Sequence, residues 1–105
     1  MRLLIIGSLG GQIGAASKIA VSRGAKVVHA ENVPEALNVL RSGQGADLIM
    51  IDVKQNIGQL VESLKSERIS ATVVACGTEN DSKAAVGAIK AGAAEFVPLP
   101  PDPEL

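Results

Sequence analysis

Three short apolar runs punctuate the chain: Leu3-Leu4-Ile5-Ile6, Leu48-Ile49-Met50-Ile51 and Val73-Val74-Ala75-Cys76. An unbroken apolar run marks a strand buried on both faces of a parallel sheet, so these three are predicted to be central. Lys26-Val27-Val28-His29-Ala30 is less uniformly apolar, and Glu95-Phe96-Val97-Pro98-Leu99 holds a proline that cannot donate to a ladder. Both are predicted to be edge strands.

Between the strands the period lengthens. Ile57, Leu60, Val61 and Leu64 fall at i, i+3, i+4 and i+7, which puts them on one helical stripe. Ile13, Ala16 and Ala20 line a similar face of a helix that stops before Gly24. Pro34 opens another, with Ala36, Leu37 and Leu40 inward and Gly43 at its end. A fourth is predicted to start near Asn80-Asp81-Ser82, any of which can cap it, and to end at Gly92. Strand and helix thus alternate four times before a fifth strand closes the series. Alternation with right-handed crossovers predicts an α/β fold, a doubly wound five-stranded parallel sheet of order 2-1-3-4-5 with helices on both faces.

Composition narrows the use of this fold. The 105 residues, 47% of them hydrophobic, give one domain spanning 1–105 with one core. A net charge of -1 leaves no basic excess for phosphates, so direct nucleic-acid binding is not expected. The apolar runs are too short to cross a bilayer, and no charged leader precedes an apolar stretch. With the single cysteine, Cys76, these features predict a cytoplasmic domain with no membrane role. One Phe and no Trp or Tyr leave aliphatic and small side chains to build any interface. Leu99-Pro100-Pro101-Asp102-Pro103-Glu104-Leu105 reads as a loop and the start of a truncated fifth helix, so the chain is expected to be a fragment of a longer protein. Without that helix, aliphatic surface from Leu3, Ile5, Val97 or their neighbours is expected to be exposed, which makes a homodimer possible.

Two candidate chemistries can be read from the residues alone. Gly7-Ser8-Leu9-Gly10-Gly11-Gln12-Ile13-Gly14 is a glycine-rich turn between strand and helix, and Glu31 ends the second strand where a ribose-binding acid would lie. The alternative function is therefore a dinucleotide-binding Rossmann-type module, although the spacing gives no clean G-x-G-x-x-G. Cys76 admits a redox role, but a buried strand cysteine acts as a small hydrophobe far more often. His29 has no second His or Cys nearby in sequence to share a metal with.

Asp47-Leu48-Ile49-Met50-Ile51-Asp52 resembles the third strand of response-regulator receiver domains, whose last Asp is the phosphate acceptor. Ala88-Ile89-Lys90-Ala91-Gly92-Ala93 with Phe96 resembles their fourth helix and fifth strand. The ending Pro98-Leu99-Pro100-Pro101 with Glu104-Leu105 is similar to the amino-terminal domain of flagellar sigma-54-dependent transcription activators of alphaproteobacteria. The resemblance implies a flavodoxin-like fold, with an ATPase domain and a DNA-binding domain following. It also implies output through the fourth helix, fifth strand and fifth helix. Small residues there, Ala84, Ala85, Gly87, Ala88 and Ala91, suit either close packing on the sheet or close approach of a partner.

The departures from the family pattern carry the functional expectation. Gly7 and Ser8 stand where receivers carry the acidic pair that holds Mg²⁺, Cys76 stands for the switch hydroxyl, and Leu99 for the phosphate-binding lysine. Phosphoryl transfer is catalysed almost entirely by positioning and charge stabilisation. Losing one such contact costs on the order of 3 kcal/mol. Asp52 is thus expected to be a vestigial phosphoacceptor position, with no metal, no cofactor and no catalytic residue. The expected function is that of a non-catalytic regulatory domain acting by contact with a protein partner, its own ATPase domain or a second copy.

Overall fold

The computed structural model describes residues 1–8, 13–77 and 82–98. The elements run β1 (Arg2–Ile6), α1 (Ile13–Ser22), β2 (Lys26–Ala30), α2 (Val33–Arg41), β3 (Leu48–Asp52), α3 (Ile57–Ser66), β4 (Thr72–Gly77), α4 (Ser82–Lys90) and β5 (Glu95–Pro98). The sheet has the order β2-β1-β3-β4-β5, and every neighbouring pair is parallel. The apolar runs became the three central strands, and the two mixed runs lie at the edges. Leu99, the predicted last residue of β5, lies outside the described residues, as do Asn80, Asp81 and the segment read as the start of a fifth helix.

Alternation along the strands splits the core in two. Leu4, Ile6, Ile49, Ile51, Val73 and Ala75 face the layer supplied by α2, α3 and α4. Leu3, Ile5, Val74 and Cys76 face the other side, where α1 contributes Ala16 and the half-buried Ala20; the side chain of Ile13 lies outside what the structure describes. Of the residues expected to expose an aliphatic face, Leu3, Ile5, Val97 or their neighbours, Leu3 and Ile5 are buried, 3% and 0% exposed. The α1 side of the sheet is looser further along, where Leu48, Met50 and Val97 are half-buried.

Local chemistry sets the helix ends. Asn32 caps α2, its side chain accepting from the Glu35 N–H at 2.9 Å, with Pro34 in the first turn where its missing N–H costs nothing. Asn56 caps α3, accepting from the Gln59 N–H at 3.0 Å. Both helices bury the stripe read from the sequence: Ala36, Leu37 and Leu40 in one, Ile57, Leu60 and Leu64 in the other, with Val61 half-buried beside them. Beyond α4 the chain reverses at Gly92, with φ +115°, where a Cβ would stand 2.7 Å from Val61 Cγ1. Beyond α3 the same left-handed turn is made by Arg68 at φ 56°.

Two ion pairs tie elements at the periphery. The Arg41 guanidinium donates to both carboxylate oxygens of Glu67 at 2.7 Å, joining the end of α2 to the end of α3. Asp47 accepts the Arg2 N–H at 2.7 Å and holds the start of β1 to the start of β3. Among the described residues no helix is long and apolar enough to cross a membrane.

Candidate functional site

In an open parallel sheet, ligands collect beyond the carboxyl ends of the strands, where the strand order reverses; here that point lies between β1 and β3. Gly7 and Ser8 leave β1 there, Asp52 ends β3, and Cys76 and Gly77 end β4. The fold brings these five together. Leu99 lies outside the described residues.

Among the described residues Asp52 is the one buried charged side chain, 5% exposed. Its Oδ1 accepts the Lys54 N–H at 2.9 Å, and its carbonyl accepts the Gln55 N–H at 2.9 Å. This is an Asx turn, which leads the chain from β3 toward the cap of α3. The carboxylate is therefore built into the backbone of its own loop.

Cys76 is the cross-strand neighbour of Asp52. It is wholly buried and packs with Leu3, Ile5 and Val74 on the α1 side. Desolvation, with the nearby Asp52 charge as a smaller cause, pushes its thiol up from an ordinary 9.0 to about 12. A thiol in that setting stays protonated at neutral pH and is a poor nucleophile.

Gly7 has φ +91°, and a Cβ built on it would lie 2.9 Å from Asp52 Cβ and 3.4 Å from Gln55 Cγ and Nε2. Its N–H donates to the Ala30 carbonyl at 2.9 Å. Its carbonyl accepts from His29 Nε2 at 3.0 Å, which fixes the proton on that nitrogen. His29 Nδ1 stands 3.8 Å from Glu31 Oε1, and Gln55 Nε2 makes a long 3.5 Å contact to the Glu31 carbonyl.

Gln55, Gly77 and Phe96 were missed as parts of this site. A Cβ on Gly77 would meet Phe96 Cζ at 2.9 Å and Val53 Cγ1 at 3.1 Å, so the ring of the single aromatic residue fills the end of β4. The sequence signal for it was that lone Phe on an edge strand next to a strand ending in glycine. Gln55 offered no signal, because an amide two residues before a helix is ordinary in any loop.

No family model matches the chain. Over all 105 residues it is 52% identical to the transcriptional regulatory protein FlbD of Caulobacter vibrioides, and it spans 23% of that protein's length. The receiver domain of NtrX from Brucella abortus superposes with a TM-score of 0.79 at 19% identity, over 97% of this chain and 88% of that one. The signal receiver domain of the NarL response regulator from Mycobacterium tuberculosis does so with a TM-score of 0.79 at 16% identity, over 98% of this chain and 86% of that one. The chain has the fold of receiver domains. It is related to the matching segment of a transcriptional regulatory protein, and it carries the flavodoxin-like strand order of the receiver fold.

A receiver fold implies a magnesium site, and the residues of this chain do not fit one. Magnesium is held through one or two carboxylates with waters and substrate phosphate. Among the described residues no three or more His, Cys, Asp or Glu are grouped to hold a metal ion. Asp52 is engaged in its turn, Glu31 is 74% exposed beside His29, and Gly7 and Ser8 bring no carboxylate. The acidic residue that favoured a dinucleotide thus has local partners instead; Gly10 and Gly11 of that motif lie outside the described residues.

Proposed function

We propose that this chain is the non-catalytic regulatory domain of a transcription activator, acting by protein contact with little or no phosphorylation of Asp52. The observation that carries this reading is the surroundings of Asp52. The carboxylate is nine-tenths buried and tied into its own loop, flanked by a glycine, an amide and a protonated thiol. Among these described neighbours no cation, acid or hydroxyl serves a transferring phosphoryl group, and transfer depends on such groups acting together. The name of the FlbD relative supports a role in transcription, and the matched fraction of its length supports a longer regulator; the resemblance to sigma-54-dependent activators makes an ATPase output domain the partner. The net charge of -1 supports leaving nucleic-acid contact to other parts of that regulator, and such a role places the protein in the cytoplasm.

The contact surface best supported is α4. Ala88 is buried against the sheet and Ala84, Ala85 and Ala91 are half-buried, while Val86 and Ile89 are 51% and 47% exposed. A Cβ on Gly87 would meet nothing within 4 Å, so a partner's backbone can come close there. Alanines serve the fold, and the valine and isoleucine are left for a partner.

Incubation with acetyl phosphate and Mg²⁺, followed by intact-mass spectrometry, tests the proposal. The expected spectrum is unchanged. A stoichiometric phosphoryl adduct that disappears in Asp52→Asn would show that the acceptor works.

A further inference from the structure

We infer that the space beside Asp52 is closed to a divalent cation by the Gly7 backbone and the Gln55 side chain, so that returning a carboxylate to position 7 or 8 does not rebuild a metal site. The inference rests on the contact-only reading and goes past it, from missing ligands to missing room.

A side chain at position 7 would start 2.9 Å from Asp52 Cβ, nearer than real Cβ atoms approach anything. Relieving that contact means rotating Gly7 out of φ +91°, a value that L side chains rarely adopt. The rotation has its own cost, because both peptide groups of Gly7 are engaged. The N–H is bound to the Ala30 carbonyl at 2.9 Å and the carbonyl to His29 Nε2 at 3.0 Å. The residue is pinned from the β2 side in the conformation that brings it against β3.

Gln55 forms the other wall. Its Cγ and Nε2 both lie 3.4 Å from the point a Gly7 Cβ would occupy. Its position is set by the bond from its own N–H to the Asp52 carbonyl and by the start of α3 two residues later. Magnesium requires near-octahedral oxygen ligands at about 2.0–2.1 Å and keeps several of its waters. An ion with that shell cannot enter between Asp52 and Gln55 while Gly7 keeps its turn.

The test uses Ser8→Asp and the double variant Gly7→Asp/Ser8→Asp, titrated with magnesium chloride. Amide NMR shifts of Val53 and Lys54, which flank the carboxylate, report binding, and thermal unfolding with and without the salt is the second readout. A receiver that keeps its acidic pair serves as positive control. S8D retains Gly7 and offers two carboxylates, as many as magnesium usually takes from a protein. The expected result is no saturable shift and no rise in melting temperature in either variant. A saturable shift with a higher melting temperature in either one overturns the inference. If the double variant fails to fold, S8D alone decides. The two readings fail separately: an acetyl phosphate adduct on the unaltered chain sinks the contact-only function, while magnesium binding by S8D with the unaltered chain still unmodified sinks only the closure.

Discussion

Replacing Gly7 by alanine measures how tightly β1 and β3 close on each other at the top of the sheet. Two costs are expected. Holding alanine at φ +91° costs roughly 1–2 kcal/mol, part of which is returned because alanine restricts the unfolded chain more than glycine does. The new methyl group would also stand 2.9 Å from Asp52 Cβ, against about 3.5–4.0 Å for an unstrained carbon pair. Asp52 Cβ is attached to a central strand and cannot swing away, so the backbone must give, at an overpacking cost of about 1–3 kcal/mol. Gly43→Ala is the internal control: its φ is +94°, and its Cβ would meet nothing within 4 Å. It should lose only the conformational part, about 1 kcal/mol, whereas Gly7→Ala should lose about 2–4 kcal/mol. For a domain of this size that separates the melting temperatures by roughly 5–20 °C. With no Trp or Tyr to report by fluorescence, far-UV circular dichroism in a urea series is the suitable assay. Equal destabilisation by the two substitutions would mean that Gly7 does not crowd Asp52.

Three further outcomes are expected. Arg68→Gly, at the left-handed turn after α3, should raise the urea midpoint by an amount worth about 0.5–1 kcal/mol, since glycine adopts φ 56° without steric cost. Cys76 should resist alkylation in the native state and react on unfolding. Because its folded thiol holds a proton more tightly than the unfolded one, the stability it contributes is fully present below about 9 and is lost as pH rises toward about 12, which melting curves across that range will show. Asp47 and Glu67 are held below the ordinary carboxylate range, chiefly by hydrogen bonds from the Arg2 backbone and the Arg41 side chain. Their contribution is therefore present above about 4 and is lost as pH falls further, and Asp47→Asn with Glu67→Gln should flatten the acid limb of a denaturation series, less so in high salt.

The fold was legible because its main signals are local. Ile49 and Ile51 could be assigned to a central strand because no polar residue interrupts their run, and Leu60 and Leu64 could be placed on a buried stripe by spacing alone. Pro98 marked its strand as an edge by chemistry that no neighbour can alter. The site was legible only in part. Asp52 was placed at a strand end, where an Asp commonly caps the following loop, but its burial cannot be read from its identity. The positive φ of Gly7, the wall made by Gln55 and the filling of the Gly77 position by Phe96 all arise from contacts between segments distant in sequence. Glycine at position 7 is as compatible with an open loop as with a pinned one until the His29 bond is seen. Within the face expected around Leu3, Ile5 and Val97 the division has a related cause: pleat alternation said which residues share a side, but α1 decides that Leu3 and Ile5 are covered while Val97 is left half-buried.

The strand order also governs how the chain can assemble as it is made. β1 lies between β2 and β3, so its second partner is not synthesised until Leu48–Asp52, and a central strand waits half-paired while the residues between β2 and β3 are made. Residues up to Ala30 can form only a two-stranded ladder, which is marginal alone in water. Once β3 emerges, three strands and the buried stripe of α2 are present together, and the order 2-1-3 is a contiguous half of the final sheet. β4 and β5 then extend one growing edge, without any strand having to be inserted between two already paired. The change of growing edge, from β2 on one side of β1 to β3 on the other, is made early, when a short chain can still rearrange cheaply, and the later strands add to that same edge.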